Sequence, residues 1–441
     1  MKKLDIELYN KYKKLGRGNW GKDLRIWKTL YIGAINQLKD EEFDPIAEML
    51  LDVFLSIINA RRNNNPIIMY PFNYEPQLFY AMGLTPLMQE IFSVGLAPFH
   101  LNEPYLDFTN QIGYGDNPTL CNAQRPLIGA HLQGAAPVPD YLFFLSTPCN
   151  SLAMTYQVFQ NLTGVPTYSM DVPYWAYDQT SEFYDEKTID YMIKQIKDLI
   201  NWLQVQTKHK LDHERLQQAM KWVNEARENI LEFNEFLKAV PCPLESLRTG
   251  LNFIIMTMCG GTEDAVKATK FLRDEAAENV KKGIGGVPDE KIRIGWPYTH
   301  IFFDAELFPW IEMNFSASVI MDILGYYQVL PHDISNPEKC YESLAMGTLD
   351  YSMINTCRGP IEYLTDYVIN YVKEYKLDCI IMPCQFACKH AHSVARVMLE
   401  SVREVTGVPT LLFGCDPYDS RDVPADTIRA KIKEFLTQVV L

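Results

Sequence analysis

The chain has 441 residues, 47% of them hydrophobic and 22% charged, which excludes a disordered protein and predicts two or three globular domains. A formal net charge of −14 argues against nucleic acid as a partner, because phosphate recognition needs a basic surface. No run of about 18 apolar residues predicts a membrane span, and the start Met1-Lys2-Lys3-Leu4-Asp5 lacks the apolar stretch of an export signal.

The first part, residues 1–65, reads as an N-terminal helical segment. Ile46, Met49, Leu50, Val53, Phe54 and Ile57 recur at helical spacing, and Asn63-Asn64-Asn65-Pro66 ends the run. A first α/β domain is expected over 66–180. It opens on Ile67-Ile68-Met69-Tyr70, a run of the kind buried in a parallel sheet. Tyr141-Leu142-Phe143-Phe144-Leu145 is its plainest strand; Ser146-Thr147-Pro148-Cys149, a helix from about 150 to 161 and a strand over 164–170 complete a βαβ unit. Residues 181–286 read as a helical bridge, with Ile193, Ile196, Leu199, Ile200 and Leu203 on one stripe. Within it, Cys259-Gly260-Gly261-Thr262 reads as a turn.

A second α/β domain is expected over 287–441. Ile292-Arg293-Ile294-Gly295-Trp296 opens it; the strand Asp378-Cys379-Ile380-Ile381-Met382 leads into a cysteine-bearing loop and a helix with Val394, Val397, Met398 and Val402. Thr406-Gly407-Val408-Pro409-Thr410 then precedes the strand Leu411-Leu412-Phe413, and it repeats Thr163-Gly164-Val165-Pro166-Thr167 in the same place in the first domain. The repeated order of strand, cysteine loop, helix and pentapeptide predicts two doubly wound, Rossmann-like α/β domains related by duplication.

Ten cysteines in a chain expected to be cytoplasmic should be reduced, serving as small buried hydrophobes or as metal ligands. Ligands of open parallel sheets sit beyond the carboxyl ends of the strands, which is where Cys149, Cys384 and Cys388 fall, with Cys121 in a loop ahead of the Asp140 strand. Soft thiolates converging there select iron–sulfur clusters, zinc or Cu(I). Cys242, Cys259, Cys340, Cys379 and Cys415 show no such pattern and read as core. No Gly-x-x-x-x-Gly-Lys-Ser/Thr loop and no Gly-x-Gly-x-x-Gly fingerprint occurs, so no nucleotide is expected on this chain itself.

Several segments carry a family resemblance. Tyr70 to Pro86, with Glu75-Pro76-Gln77-Leu78 ahead of an Ala81-Met82-Gly83-Leu84-Thr85-Pro86 turn, resembles the early signature of the 2-hydroxyacyl-CoA dehydratase and ATP-dependent (class I) benzoyl-CoA reductase family. Leu120-Cys121 with Arg125 looks like its first cluster cysteine, Thr147-Pro148-Cys149-Asn150 its second, and Ala387-Cys388-Lys389 its third, with Arg358 as the arginine ahead of that cysteine. Asn150 departs from the family's usual Asp, and Cys384 and Cys357 are additional thiols.

The resemblance implies a [4Fe-4S] cluster on Cys121, Cys149 and Cys388, with Cys384 and Cys357 as further ligands if the cluster is a double cubane. It implies transfer of a low-potential electron from a separate ATP-hydrolysing iron–sulfur activator to an acyl-CoA substrate. A ketyl radical would then lose its 2-hydroxyl group, in a dehydratase, or lead to ring reduction, in a benzoyl-CoA-type reductase. A related second subunit, in a heterodimer, or a homodimer is implied as well. Arg125, His131, Arg358, Lys389, His390 and His392 are the polar groups near the cysteines, with Arg125, His390 and His392 the candidates for catalysis. A stand-alone double-cubane reductase of small molecules and a non-catalytic electron-transfer subunit remain alternatives.

Overall fold

The computed structural model describes residues 45–63, 65–114, 120–136, 138–175, 184–322 and 331–440; the helices expected over 1–44 lie outside them. Two four-stranded sheets organise the chain, and every pairing in them is parallel. The first holds β1 (Ile67–Tyr70), β2 (Thr85–Met88), β3 (Tyr141–Leu145) and β4 (Thr167–Met170) in the order β2-β1-β3-β4. The second holds β5 (Ile292–Trp296), β6 (Ala317–Asp322), β7 (Cys379–Gln385) and β8 (Thr410–Cys415) in the order β6-β5-β7-β8. The architecture is α/β with the same strand order in both halves, as two Rossmann-like domains require. No described helix is long and apolar enough to cross a membrane.

The identical pentapeptides do identical work. Helix α3 (Asn150–Thr163) and helix α9 (Lys389–Thr406) each end on the glycine, Gly164 at φ +69° and Gly407 at φ +77°, a left-handed conformation that glycine adopts without strain. A Cβ there would meet nothing within 4 Å, so the torsion and not the space selects glycine. In each, the threonine hydroxyl donates to the carbonyl four residues back, Phe159 or Val402, at 2.7 Å. It also accepts from the N–H of Val165 or Val408 at 3.3 Å. The helix is thereby closed and the chain aimed into the next strand.

Asp140 and Asp378 are also equivalent. Each carboxylate accepts from a backbone N–H of the neighbouring first strand, Ile67 or Arg293, at 2.7 Å, which sets the register of β3 on β1 and of β7 on β5.

Between the sheets lie helices α4 (Glu186–Thr207), α5 (His213–Leu237), α6 (Leu251–Cys259) and α7 (Glu263–Lys282). Asp185 and Asp212 cap α4 and α5 by accepting from the N–H groups of Thr188 and of Glu214 and Arg215. The stripe Met192, Ile196, Leu199, Ile200 and Leu203 of α4 is buried. One core cluster runs from Ile46 through these helices to Val402, and a second lies under the other face of β5 and β7. Strand β7 shows the period of two: Cys379 and Ile381 join the second cluster, Ile380, Met382 and Cys384 the first. The Cys259–Thr262 stretch is the expected turn between α6 and α7.

Two expectations are corrected. Thr85-Pro86 is not a turn but the start of β2; β2 is an edge strand, where a proline without an N–H is tolerated. Cys384 is not in a loop, because β7 continues to Gln385 and pairs Cys384 with Gly414 of β8.

Candidate functional site

The carboxyl ends of both sheets open on one cavity of about 570 Å³. Phe72 follows β1, Glu90 follows β2, Cys149 follows β3, Tyr298 and His300 follow β5, Gln385 and Cys388 end and follow β7, and Tyr418 follows β8; all line it. Cys121 enters from the loop ahead of α2 (Arg125–Leu132), and Cys357 from the end of the short helix Ile354–Cys357 that precedes α8 (Ile361–Glu374). The segments Tyr70-Pro71-Phe72 and Trp296-Pro297-Tyr298 place an aromatic ring at matching positions in the two halves.

Cys149 and Cys388 are the N-cap residues of α3 and α9. The Cys149 sulfur accepts from the Leu152 N–H at 3.4 Å. The His390 ring N–H donates to the Pro148 carbonyl, joining the residue before one capping cysteine to the turn after the other. The Cys121 N–H donates to Ser151 Oγ at 2.7 Å, and its thiol donates to Gln385 Oε1 at 3.1 Å. Helix α3 of the first half and strand β7 of the second therefore hold the Cys121 loop.

Burial pushes the Cys121 thiol well above the ordinary range, and charge on Cys149, Asp416 and Cys388 pushes it further. Burial takes the Cys149 thiol up to about 12, with Cys388 and Glu90 adding to it, against lowering by the Leu152 N–H. Burial also takes Cys357 up to about 12. Cys121, Cys149 and Cys388 thus sit where their thiolates would repel one another, a donor set that a cationic, thiophilic group would stabilise by requiring deprotonation and supplying the opposing charge. Among the described residues, no three His, Cys, Asp or Glu side chains gather tightly enough for a single ion. An iron–sulfur cluster brings its own sulfides and does not ask its thiolates to meet at a point, so these donors fit a cluster better than zinc.

Other groups complete the lining. The Tyr298 hydroxyl is held protonated first by burial and then by the charge of Cys388 and Cys121. Tyr418 stacks on Phe302 with ring centroids 5.2 Å apart. Glu90 accepts from Gln124 Nε2 and from the Phe72 N–H, each at 3.0 Å, and burial raises its carboxyl to about 7. Burial lowers His300 to about 4. None of Glu90, Tyr298, His300, Gln385 or Tyr418 was read from the sequence; the strand-end rule would have found Tyr298, which directly follows a strand recognised there.

Of the additional thiols, Cys357 lines the cavity and Cys384 does not. Of the polar candidates, only His390 lines it. Arg125 is buried and donates to Thr109 Oγ1, the Leu106 carbonyl and Asn110 Oδ1 at 3.3, 3.3 and 2.7 Å, which anchors the helix Glu103–Gln111. Arg358 is buried beside Asp350 and Tyr363. His131 packs on Phe159, and His392 is exposed, stacked on Phe386.

Comparison with known proteins finds dehydratase subunits. The (R)-phenyllactyl-CoA dehydratase alpha subunit of Clostridium sporogenes is 23% identical over 363 residues, 79% of this chain and 84% of the relative. The (R)-2-hydroxyisocaproyl-CoA dehydratase alpha subunit of Clostridioides difficile is 21% identical over 390 residues, covering 85% and 90%. The (R)-2-hydroxyglutaryl-CoA dehydratase subunit alpha of Acidaminococcus fermentans is 20% identical over 315 residues, covering 68% and 60%. The sequence profile described as 2-hydroxyglutaryl-CoA dehydratase, D-component, matches residues 72–439, a span that takes in every described strand except β1 and includes Cys121, Cys149, Cys357 and Cys388. The chain belongs to the 2-hydroxyglutaryl-CoA dehydratase D-component family.

Proposed function

We propose that this chain is a subunit of a 2-hydroxyacyl-CoA dehydratase, a lyase, in which Cys121, Cys149 and Cys388 hold a [4Fe-4S] cluster. The observation that carries the reading is the convergence of these thiols, from the carboxyl ends of two sheets, on one cavity. Dehydration is favoured over ring reduction because the three relatives are dehydratase subunits. When bound, a cubane on three thiolates supplies a low-potential electron and one iron position open to exchange.

The chain's own residues have separate tasks. The apolar walls around the thiols exclude water, which strengthens every electrostatic interaction inside. Tyr298 and Tyr418, the tyrosines among the described lining residues and both kept protonated by burial, offer hydroxyl donors to charge that develops on a thioester oxygen. Glu90, buried and poised near neutrality, can hold or release a proton beside the cavity. Four thiols line the cavity among the described residues, Cys121, Cys149, Cys357 and Cys388. Two cubanes keeping three each would take about six, which favours a single cubane.

The relatives are alpha subunits, so a partner subunit belongs to the reading, as does a separate ATP-hydrolysing activator. The residues 66–180, 181–286 and 287–441 serve as first cluster domain, helical bridge and second domain, in a cytoplasmic protein. Anaerobic purification should yield about four irons per chain with matching sulfide, and turnover of a 2-hydroxyacyl-CoA when partner and activator are supplied. Cys149→Ser should abolish the cluster and Cys242→Ser leave it intact. Zinc in place of iron, or equal loss in both variants, would defeat the proposal.

A further inference from the structure

The cavity that gathers the cysteines is otherwise walled mainly by apolar side chains. Met49, Phe72, Leu251, Phe253, Ile254 and Phe308 are among them, and Phe72 and Phe253 meet edge to face with ring centroids 6.1 Å apart. Its volume of about 570 Å³ is that of a pocket for a small organic group. Among the described residues no Lys or Arg lines it; the ionisable side chains there, thiols and tyrosines aside, are Glu90, Asp304, His300 and His390.

None of these is a permanent cation. Asp304 is taken by Arg429, whose Nε and Nη2 donate to its two oxygens at 3.0 and 2.5 Å. Both Glu90 oxygens accept hydrogen bonds from the chain. The His390 ring N–H is committed to the Pro148 carbonyl, and burial keeps His300 neutral. A second carboxylate carried into this space would lose its water, meet no Lys or Arg among the described lining residues and approach two acidic groups, whereas methylene and aromatic surface would be buried favourably.

We infer, building on the function proposed above, that the acyl group accepted here is uncharged and apolar, aromatic or branched aliphatic, and that an acyl group ending in a second carboxylate is rejected. The relatives named above span all three kinds of acyl group, so family membership does not decide the matter; the cavity wall does.

The test is equilibrium binding to the full-length chain, purified anaerobically, of CoA thioesters that lack the 2-hydroxyl group and cannot react. By calorimetry, 3-phenylpropanoyl-CoA and 4-methylpentanoyl-CoA should bind at least about 100-fold more tightly than glutaryl-CoA. Ile254→Lys, at a half-buried wall position of α6 and checked for native circular dichroism, should narrow that gap at least about tenfold by improving glutaryl-CoA binding. Glutaryl-CoA binding as tightly as the apolar esters, or no discrimination among the three, overturns the inference. Iron content of the same samples reads the proposed function separately. Four irons per chain without acyl discrimination defeats this inference alone, and absence of iron defeats the functional reading beneath it.

Discussion

Arg227 of α5 reaches Glu75, just beyond β1, with Nη2 donating to Oε2 at 2.7 Å. The two side chains are only 3% and 4% exposed, and Gln77 Nε2 donates to the same carboxylate oxygen at 3.1 Å. Replacing Arg227 with Met keeps much of the volume but leaves a carboxylate in a site almost without water. Breaking a buried pair in this way is expected to destabilise by about 3–5 kcal/mol. The double variant Glu75→Gln/Arg227→Met removes both charges and should recover most of that loss, since desolvation of two ions roughly offsets their attraction. The assay is urea unfolding of wild type, both single variants and the double variant, read as a thermodynamic cycle. A coupling of about 2 kcal/mol or more is expected, within the range for residues in direct contact. Arg227→Met costing less than about 1 kcal/mol, with additive effects in the double variant, would refute the view that this pair ties the helical region to the first sheet.

Three further outcomes follow from single positions. Gly261 has φ +96°, and a Cβ there would stand 2.6 Å from Gln77 Cβ, whereas Gly164 has left-handed torsion alone. Gly261→Ala should therefore lose about 2 kcal/mol or more and Gly164→Ala about 1 kcal/mol in denaturant midpoints; equal losses would contradict the clash. Because burial raises the Glu90 carboxyl to about 7, the folded chain keeps a proton that the unfolded chain releases above its ordinary carboxylate range. Stability of wild type relative to Glu90→Gln should thus be greatest, and level, below about pH 4.5 and fall as pH rises towards 7, by at most about 1.4 kcal/mol per pH unit. A difference that is flat with pH would remove Glu90 as the cause. Cys384→Ala, on β7 and away from the cavity lining, should leave iron and sulfide content unchanged while lowering stability by about 1 kcal/mol; loss of iron would make Cys384 a ligand.

The sequence exposed those parts of the fold in which short-range rules act alone. Strand β3, the cysteine that caps the following helix and the glycine that ends it are consecutive, so the first half of the site could be read without knowing what packs on it. The same signals placed Cys388. Cys384 was misplaced because Pro383 looks like the end of a strand. In the fold, β5 pairs with β7 only as far as Ile380, so beyond that point one side of β7 has no partner strand and proline fits. Strand β6 escaped notice because the residue that closes the preceding helix is Ser316, at φ +48°, without the glycine that usually marks such an ending. Cavity residues such as Glu90 and His300 carry no local pattern. Their role arises from where β2 and β5 end, which depends on strand pairing across distant segments.

The hydrogen bond from His390 to the Pro148 carbonyl, joined in the metal-free chain by that from the Cys121 thiol to Gln385, ties the two halves together at the very place where the sulfurs gather. A site assembled across a seam is lost when the seam parts, well before either sheet comes undone. On the function proposed above, mild denaturant should accordingly release the cluster at concentrations where circular dichroism is still native, and inactivation would then be an opening of the molecule and not its unfolding.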